Sequence, residues 1–243
     1  QSGRWDFNQL FVNGERRYRP RLPKDGYYYI TETLAPSDAE IGKPDRFGFK
    51  KGDIRSDWSN LDDVELLCFQ SWSTARMRIK SIDDEQNIVN LTGHTILDSW
   101  FFGLIQGYRY IVENVKEALG EPGEWYLDKK SGILTYYPLP CENIAAAEVI
   151  APRLDMLVQI AGDYDNDRWV RDITFRGLTF AHTNWILPEE GHNFGQGEAN
   201  LRGAITMSAA RRCVFDGCSV SQVACYAIEL DTASRYNRIE NCE

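Results

Sequence analysis

Ile173-Thr174-Phe175-Arg176-Gly177-Leu178-Thr179-Phe180 is answered forty residues later by Cys213-Val214-Phe215-Asp216-Gly217-Cys218-Ser219-Val220, and then by Arg238-Ile239-Glu240-Asn241-Cys242. The echo sets a register. Phe175, Phe215 and Ile239 form one column, Gly177, Gly217 and Asn241 a second, and Leu178, Cys218 and Cys242 a third. A second echo is interleaved with it, because Met156 to Ile160, Gly203 to Met207 and Tyr226 to Leu230 share an apolar alternation that ends on a large aliphatic residue. The last two copies lie 24 residues apart in the first echo and 23 in the second, whereas the preceding spacings are 40 and 47. One coil is therefore regular and its predecessor carries an insertion. Short alternating strands with Gly or Asn at fixed places are what stacked coils of a parallel β-solenoid require. Each inward column stacks on its like about 4.8 Å away, and the sharp corners need positive φ, which Gly takes freely and Asn tolerates. The competing arrangement, two coincidental hairpins of a β-sandwich, does not account for two columns keeping one spacing.

Outward from the repeat, residues 1–150 have another texture. Phe7 to Val12, then Asn13-Gly14, then a basic strand predicts a hairpin with a type I′ turn. Val64 to Phe69, Ala75 to Ile79 and Ile88 to Leu91 read as closely spaced strands, as in a small antiparallel sandwich or barrel. Only Val115 to Leu119 looks helical, stopped by Gly120 and Pro122-Gly123. Trp125 to Asp128 and Ile133 to Tyr137 predict a second hairpin. The expected organisation is all-β: a sandwich-like insert over residues 1–148 with one short helix near 115–119, followed by right-handed parallel β-helix coils over residues 149–243. The chain starts at Gln1 and stops in the strand pattern Asn241-Cys242-Glu243, so the expectation is a piece of a longer protein with further coils before residue 1 and after residue 243.

The 243 residues carry 27 Lys and Arg against 36 Asp and Glu, a formal net charge of −9. No basic stripe is available to neutralise phosphates, which argues against nucleic acid. The short cluster Arg16-Arg17-Tyr18-Arg19 reads as a solvated hairpin flank. No apolar run reaches the 18 or so residues of a membrane span. The six cysteines, Cys68, Cys141, Cys213, Cys218, Cys225 and Cys242, are expected as free, buried thiols, since neighbouring rungs set Cβ atoms about 4.8 Å apart, beyond disulfide reach. The three histidines lack a tight carboxylate partner, and Asp163, Asp165 and Asp167 alternate like a calcium loop without its Gly or trailing Glu, so neither metal nor cofactor is expected.

Four stretches carry a resemblance: Gln9-Leu10-Phe11-Val12-Asn13-Gly14; Tyr110 to Leu119; Pro122-Gly123-Glu124-Trp125-Tyr126-Leu127-Asp128; and Phe175 to Phe180 with His182-Thr183. Together they resemble bacterial right-handed parallel β-helix glycoside hydrolases, nearest the family 141 group of α-L-fucosidase- and xylanase-like enzymes, with family 120 β-xylosidases as relatives. The resemblance implies a β-sandwich inserted after the first coils, a polysaccharide or oligosaccharide substrate, and a secreted or periplasmic location.

Glycoside hydrolysis uses two carboxylic residues, about 5–5.5 Å apart for retention and about 6.5–9.5 Å for inversion. On a solenoid, residues i and i+2 of one strand are about 6.5–7 Å apart and equivalent positions on neighbouring rungs about 4.8 Å. Glu229 with Asp231 fits the first geometry and Asp216 with Glu240 the second. The long loop after His182 offers Trp185, His192, Gln196 and Glu198, an aromatic surface plus imidazole, amide and carboxylate, as substrate-binding candidates. His182 itself is expected as a hydrogen-bonded corner residue, and Glu113, Asn114 and Glu124 as capping or interface residues. A polysaccharide lyase on the same scaffold and a non-catalytic glycan-binding or adhesin module remain the alternatives.

Overall fold

The repeat register appears directly as parallel strand pairing in the computed structural model of the chain, which describes residues 6–193, 195, 197 and 200–243. Among the described residues the protein is all-β, with three short 3-10 turns at Leu61–Asp63, Lys116–Ala118 and Ile144–Ala146. It divides into two compact units.

The first unit comprises Gln1–Arg17, Ala145–Ile186 and Asn200–Glu243. Four parallel ladders run through it. Val158–Ala161 pairs with Gly203–Ser208 and that with Tyr226–Leu230. Thr174–Arg176 pairs with Val214–Asp216 and that with Arg238–Glu240. Val170–Arg171 pairs with Ala210–Arg211, and Thr179–Ala181 with Ser219–Ser221. The pairing joins Phe175 to Phe215 to Ile239, and Ile160 to Met207 to Leu230, so like residues stack on like. The Phe175 and Phe215 rings lie 4.7 Å apart and nearly parallel. Phe215 is fully buried among Ile160, Ile205, Met207, Cys213 and Cys218. The corner column holds its left-handed backbone at every copy, with φ of 62° at Gly177, 60° at Gly217 and 56° at Asn241. Cys218 Sγ lies 3.5 Å from the Phe175 carbonyl oxygen, and Cys242 Sγ keeps the same distance to that of Phe215 one rung on. The hairpin Leu10–Val12/Glu15–Arg17 closes through Asn13 and Gly14, both at positive φ, and its first strand pairs antiparallel with Val149–Ile150. That pairing is why residues 1–17 group with the ladders, whereas the sequence places them in the 1–148 insert.

The second unit comprises Tyr18–Ile144 and Leu187–Ala199. Its main sheet is antiparallel, in the order Arg21–Leu22, Arg109–Glu113, Glu65–Phe69, Thr74–Asp83, Ile88–Leu91, Arg46–Gly48, Glu32–Thr33. The ten-residue strand Thr74–Asp83 serves both halves, pairing over Thr74–Arg78 with Glu65–Phe69 and over Ile79–Asp83 with Ile88–Leu91, the second ladder carrying a register shift between Ile79 and Ser81. A bulge of this kind bends one strand so that it can belong to two sheet faces. The core gathers Phe47, Val64, Leu66, Met77, Leu91, Tyr110 and Val112. The predicted hairpin Trp125–Asp128/Ile133–Tyr136 is present, and the expected short helix is the single turn Lys116–Ala118. The coil insertion joins this unit, where His192–Asn193 adds a strand to Thr74–Asp83. Of the six free cysteines, Cys68, Cys213 and Cys218 are buried, but Cys141 is exposed, because it follows Pro138 and Pro140 out of the hairpin and away from any strand.

The basic cluster is not a solvated flank. Arg19 grips Glu65 with both guanidinium nitrogens, at 2.9 and 2.7 Å, and reaches Glu113 at 3.3 Å; Arg76 bonds Glu65 at 2.8 Å and also Glu113. Arg17 is buried too and bonds Glu15. The Glu65 side chain is 1% exposed. Burial alone would push its carboxyl up, but Arg19 and Arg76 outweigh burial and hold it well below the usual carboxylate range; Glu113 is lowered by the same two arginines.

Two outcomes follow. Removing one member of a buried charge network strands the others, so Arg19→Met is expected to cost about 3–5 kcal/mol in denaturant unfolding. Because both carboxyls are depressed in the folded protein, the stability they contribute is complete above the unfolded value near 4.3 and is lost as pH falls through the lower folded range. Tm measured from pH 7 to pH 3 should therefore fall more steeply in the native chain than in Glu65→Gln. In the first unit, Phe215→Ala is expected to cost about 3–5 kcal/mol. Gly217→Ala meets nothing within 4 Å, so chemical denaturation should show only the left-handed backbone strain, about 1 kcal/mol.

Candidate functional site

The segment Thr183-Asn184-Trp185 follows the strand Thr179–Ala181 and His182, whose φ of 66° is left-handed. Thr183 Oγ1 accepts the Ala224 N–H at 2.8 Å, the Asn184 N–H donates to the Leu154 carbonyl at 2.8 Å, and Asn184 Oδ1 accepts the Asn8 N–H at 2.9 Å. These bonds pin the segment from three sides, and both residues are buried. Beside it lies a cleft of about 380 Å³ in the first unit, lined by Arg153, Asp155, Asn184, Trp185, Arg202 and Cys225 among others. It offers an indole, an amide, a carboxylate and two guanidinium groups.

Glu229 adjoins this cleft through Arg202, whose Nε lies 3.7 Å from Glu229 Oε2. The same oxygen accepts the Gly203 N–H at 2.8 Å. Gly203 is required there, since a Cβ would stand 2.9 Å from Glu229 Cβ and 3.0 Å from its backbone nitrogen. Asp231 follows the last residue of the strand Tyr226–Leu230; its N–H donates to the Met207 carbonyl at 2.8 Å, its carbonyl accepts the Ser234 N–H at 3.1 Å, and the residue is exposed. Its Oδ1 accepts the Thr232 hydroxyl at 3.2 Å.

Asp216 and Glu240 are register partners on neighbouring rungs. Asp216 is already engaged: Asn241 Nδ2 donates to it at 3.0 Å and Arg176 Nε at 2.9 Å. The Asn241 hydrogen bond, aided by Arg176, holds its carboxyl below the ordinary range. Glu240 pairs with Arg238 at 3.3 Å. A carboxylate so held keeps its charge and is a poor proton donor.

The proposed loop constellation is split between the units. Trp185 lines the cleft, whereas His192 stands opposite Arg76 in the sheet of the second unit, and Gln196 and Glu198 lie outside the described residues. His182 packs edge-on against Phe11 at 4.6 Å, and its buried Nε2 has no hydrogen-bond partner among the described residues, so it is a packed corner and not a hydrogen-bonded one. Glu113 belongs to the ion network. Asn114 donates to Asp63, and Glu124 accepts the N–H groups of Gly120 and Glu121 and pairs with Lys24. The aspartates at 163 and 167 are spent on their own turn, accepting from Asn166 and from the Trp169 indole. Arg153, Asp155 and Arg202 were not signalled by the repeat, because they lie in irregular segments beside it.

These features define an all-β chain with a polar, aromatic-lined cleft on a scaffold of parallel ladders. One solved structure, described as a glycoside hydrolase, shares this fold with a TM-score of 0.80 and 22% identity, over 98% of this chain and 46% of that one. The chain thus spans about half the length of that relative. Residues 1–139 match the GH141 insertion domain, and the chain belongs to that family. No curated protein matches it.

The Asp216 environment is testable by carbon-detected NMR titration. Its carboxyl should titrate below the ordinary aspartate value near 3.9, and Asn241→Ala should move it upward; an unchanged midpoint in that variant would show that Asn241 does not hold the charge.

Proposed function

We propose that this chain is part of a bacterial, secreted or periplasmic carbohydrate-active enzyme that hydrolyses glycosidic bonds of complex polysaccharides through paired carboxylates. In this reading the parallel ladders are coils of a right-handed parallel β-helix, kin to glycoside hydrolase families 141 and 120, and further coils of the parent chain complete the site. The observation that carries it is Glu229, fixed by a backbone N–H and bordered by Arg202, beside a cleft containing Trp185. An indole stacks on the apolar face of a pyranose, while the amide, guanidinium and carboxylate groups bond its hydroxyls.

Glu229 and Asp231 are two positions apart in the sequence, and an extended chain sets such residues about 6.5–7 Å apart. That separation leaves room for a water between carboxylate and sugar, as inversion requires. One group protonates the leaving oxygen while the other takes a proton from the attacking water, so neither needs to move. Asp216 and Glu240, neutralised by Arg176 and Arg238, serve as a surface charge row in this scheme.

The test is hydrolysis of aryl glycosides and soluble polysaccharides by the parent protein. Glu229→Gln or Asp231→Asn is expected to lower kcat about 10²–10⁴-fold, with Asp216→Asn close to the parent rate. Full activity in both single variants contradicts the assignment. Unsaturated products suppressed by a chelator would instead identify a lyase, and binding without turnover a glycan-binding module.

A further inference from the structure

The second unit displays a group of exposed aromatic rings that its core does not use. Trp72 is 55% exposed and Trp100 61%. Phe101 lies between them, stacked on Trp100 at 3.9 Å and edge-on to Trp72 at 5.4 Å. With one indole face covered by Phe101, the exposure of Trp100 belongs to its other face. The rings are not on loose loops. The Tyr108 hydroxyl donates to the Trp100 carbonyl at 2.6 Å and sits 2.9 Å from Ser71 Oγ, the residue before Trp72. Gln70 donates to the Phe102 carbonyl, and the Gly103 N–H to that of Ser99 at 2.6 Å. The two ring-bearing turns are thus tied to each other.

Exposing two fixed indoles leaves apolar surface in water, which marks a binding surface when the rings are held together and not scattered. A hydrophobic protein partner would be matched by a continuous apolar face. Here open ring faces alternate with hydroxyls at Ser71 and Tyr108, and a guanidinium at Arg109 lies 4.8 Å over Tyr27. A glycan chain has that same alternation, with C–H faces for stacking and hydroxyl edges for hydrogen bonds. We propose that Trp72 and Trp100 form a non-catalytic subsite on the insertion domain that binds a neutral polysaccharide chain by stacking. The choice of glycan as ligand rests on the carbohydrate-degrading reading above; the existence of a rigid open aromatic surface does not. Pre-tied turns lose little freedom on binding, so the ring contacts count in full toward affinity.

The experiment is affinity electrophoresis of the 243-residue chain in native gels cast with soluble arabinoxylan, xyloglucan or mixed-linkage β-glucan, with sedimentation velocity in parallel. The native chain should be retarded by at least one gel. Trp72→Ala and Trp100→Ala, both at exposed positions and checked by thermal melting, should weaken retention about tenfold or more, Trp100→Tyr should keep part of it, and Ile133→Thr, at an exposed position of the Trp125–Asp128/Ile133–Tyr136 hairpin, should keep all of it. No retardation in any gel overturns the proposal, as does retardation unchanged in both alanine variants. A native dimer that Trp100→Ala converts to monomer also overturns it, by giving the surface to a second copy. Retention that depends on Trp72 in a parent without hydrolytic activity would refute the enzymatic reading and leave this one standing.

Discussion

Everything in the first unit depends on like residues meeting their like across a parallel ladder. Phe175 lies flat on Phe215, Phe215 pairs on to Ile239, and the corner residues Gly177, Gly217 and Asn241 repeat one left-handed conformation. A parallel pair gives each rung the same hydrogen-bond partners as the next, so an error in one column displaces the others by a full residue and flips side chains between core and solvent. That constraint also fixes where chemistry can stand. Glu229 lies on the outward side of a strand whose neighbours Ile228 and Ile205 are committed to the core, and Gly203 lets its backbone and carboxylate close on the rung below.

The second unit is held by a different force. Its sheet core is ordinary aliphatic and aromatic packing, but Arg19, Glu65, Arg76 and Glu113 place two opposite pairs of charges inside it. Such networks cost desolvation and return it only when every member is paired. The bidentate grip of Arg19 on Glu65 meets that condition, and it connects the chain just after the first hairpin with three strands of the sheet.

Sequence reading reached these two units unequally, for physical reasons. The coil columns were legible because a stacked rung repeats its requirements at a fixed interval; the corner conformation of Asn241 could be read from its alignment with two glycines. The Asn13-Gly14 turn and the Trp125–Asp128 hairpin were legible because turn chemistry is local. The ion network was not, since Arg19 finds partners 46 and 94 residues away and four charged letters carry no record of who pairs with whom. The cleft falls between these cases. Trp185 stood out as an aromatic residue at the start of an insertion, whereas Arg153, Asp155 and Arg202 become neighbours only when irregular segments fold beside the ladders. His192 was grouped with Trp185 by proximity in sequence, but the strand it forms belongs to the other unit.

In the proposed function the cleft of the first unit is a saccharide site, with Trp185 as the stacking surface and Glu229 as a fixed carboxylate beside it. The most direct measurement is crystallographic, with crystals of the chain soaked in a xylo-oligosaccharide series. The account predicts a sugar ring stacked on Trp185, with hydroxyls in reach of Arg202 and Asn184. A cleft that stays free of sugar at saturating ligand, in crystals whose lattice leaves it open, would contradict it.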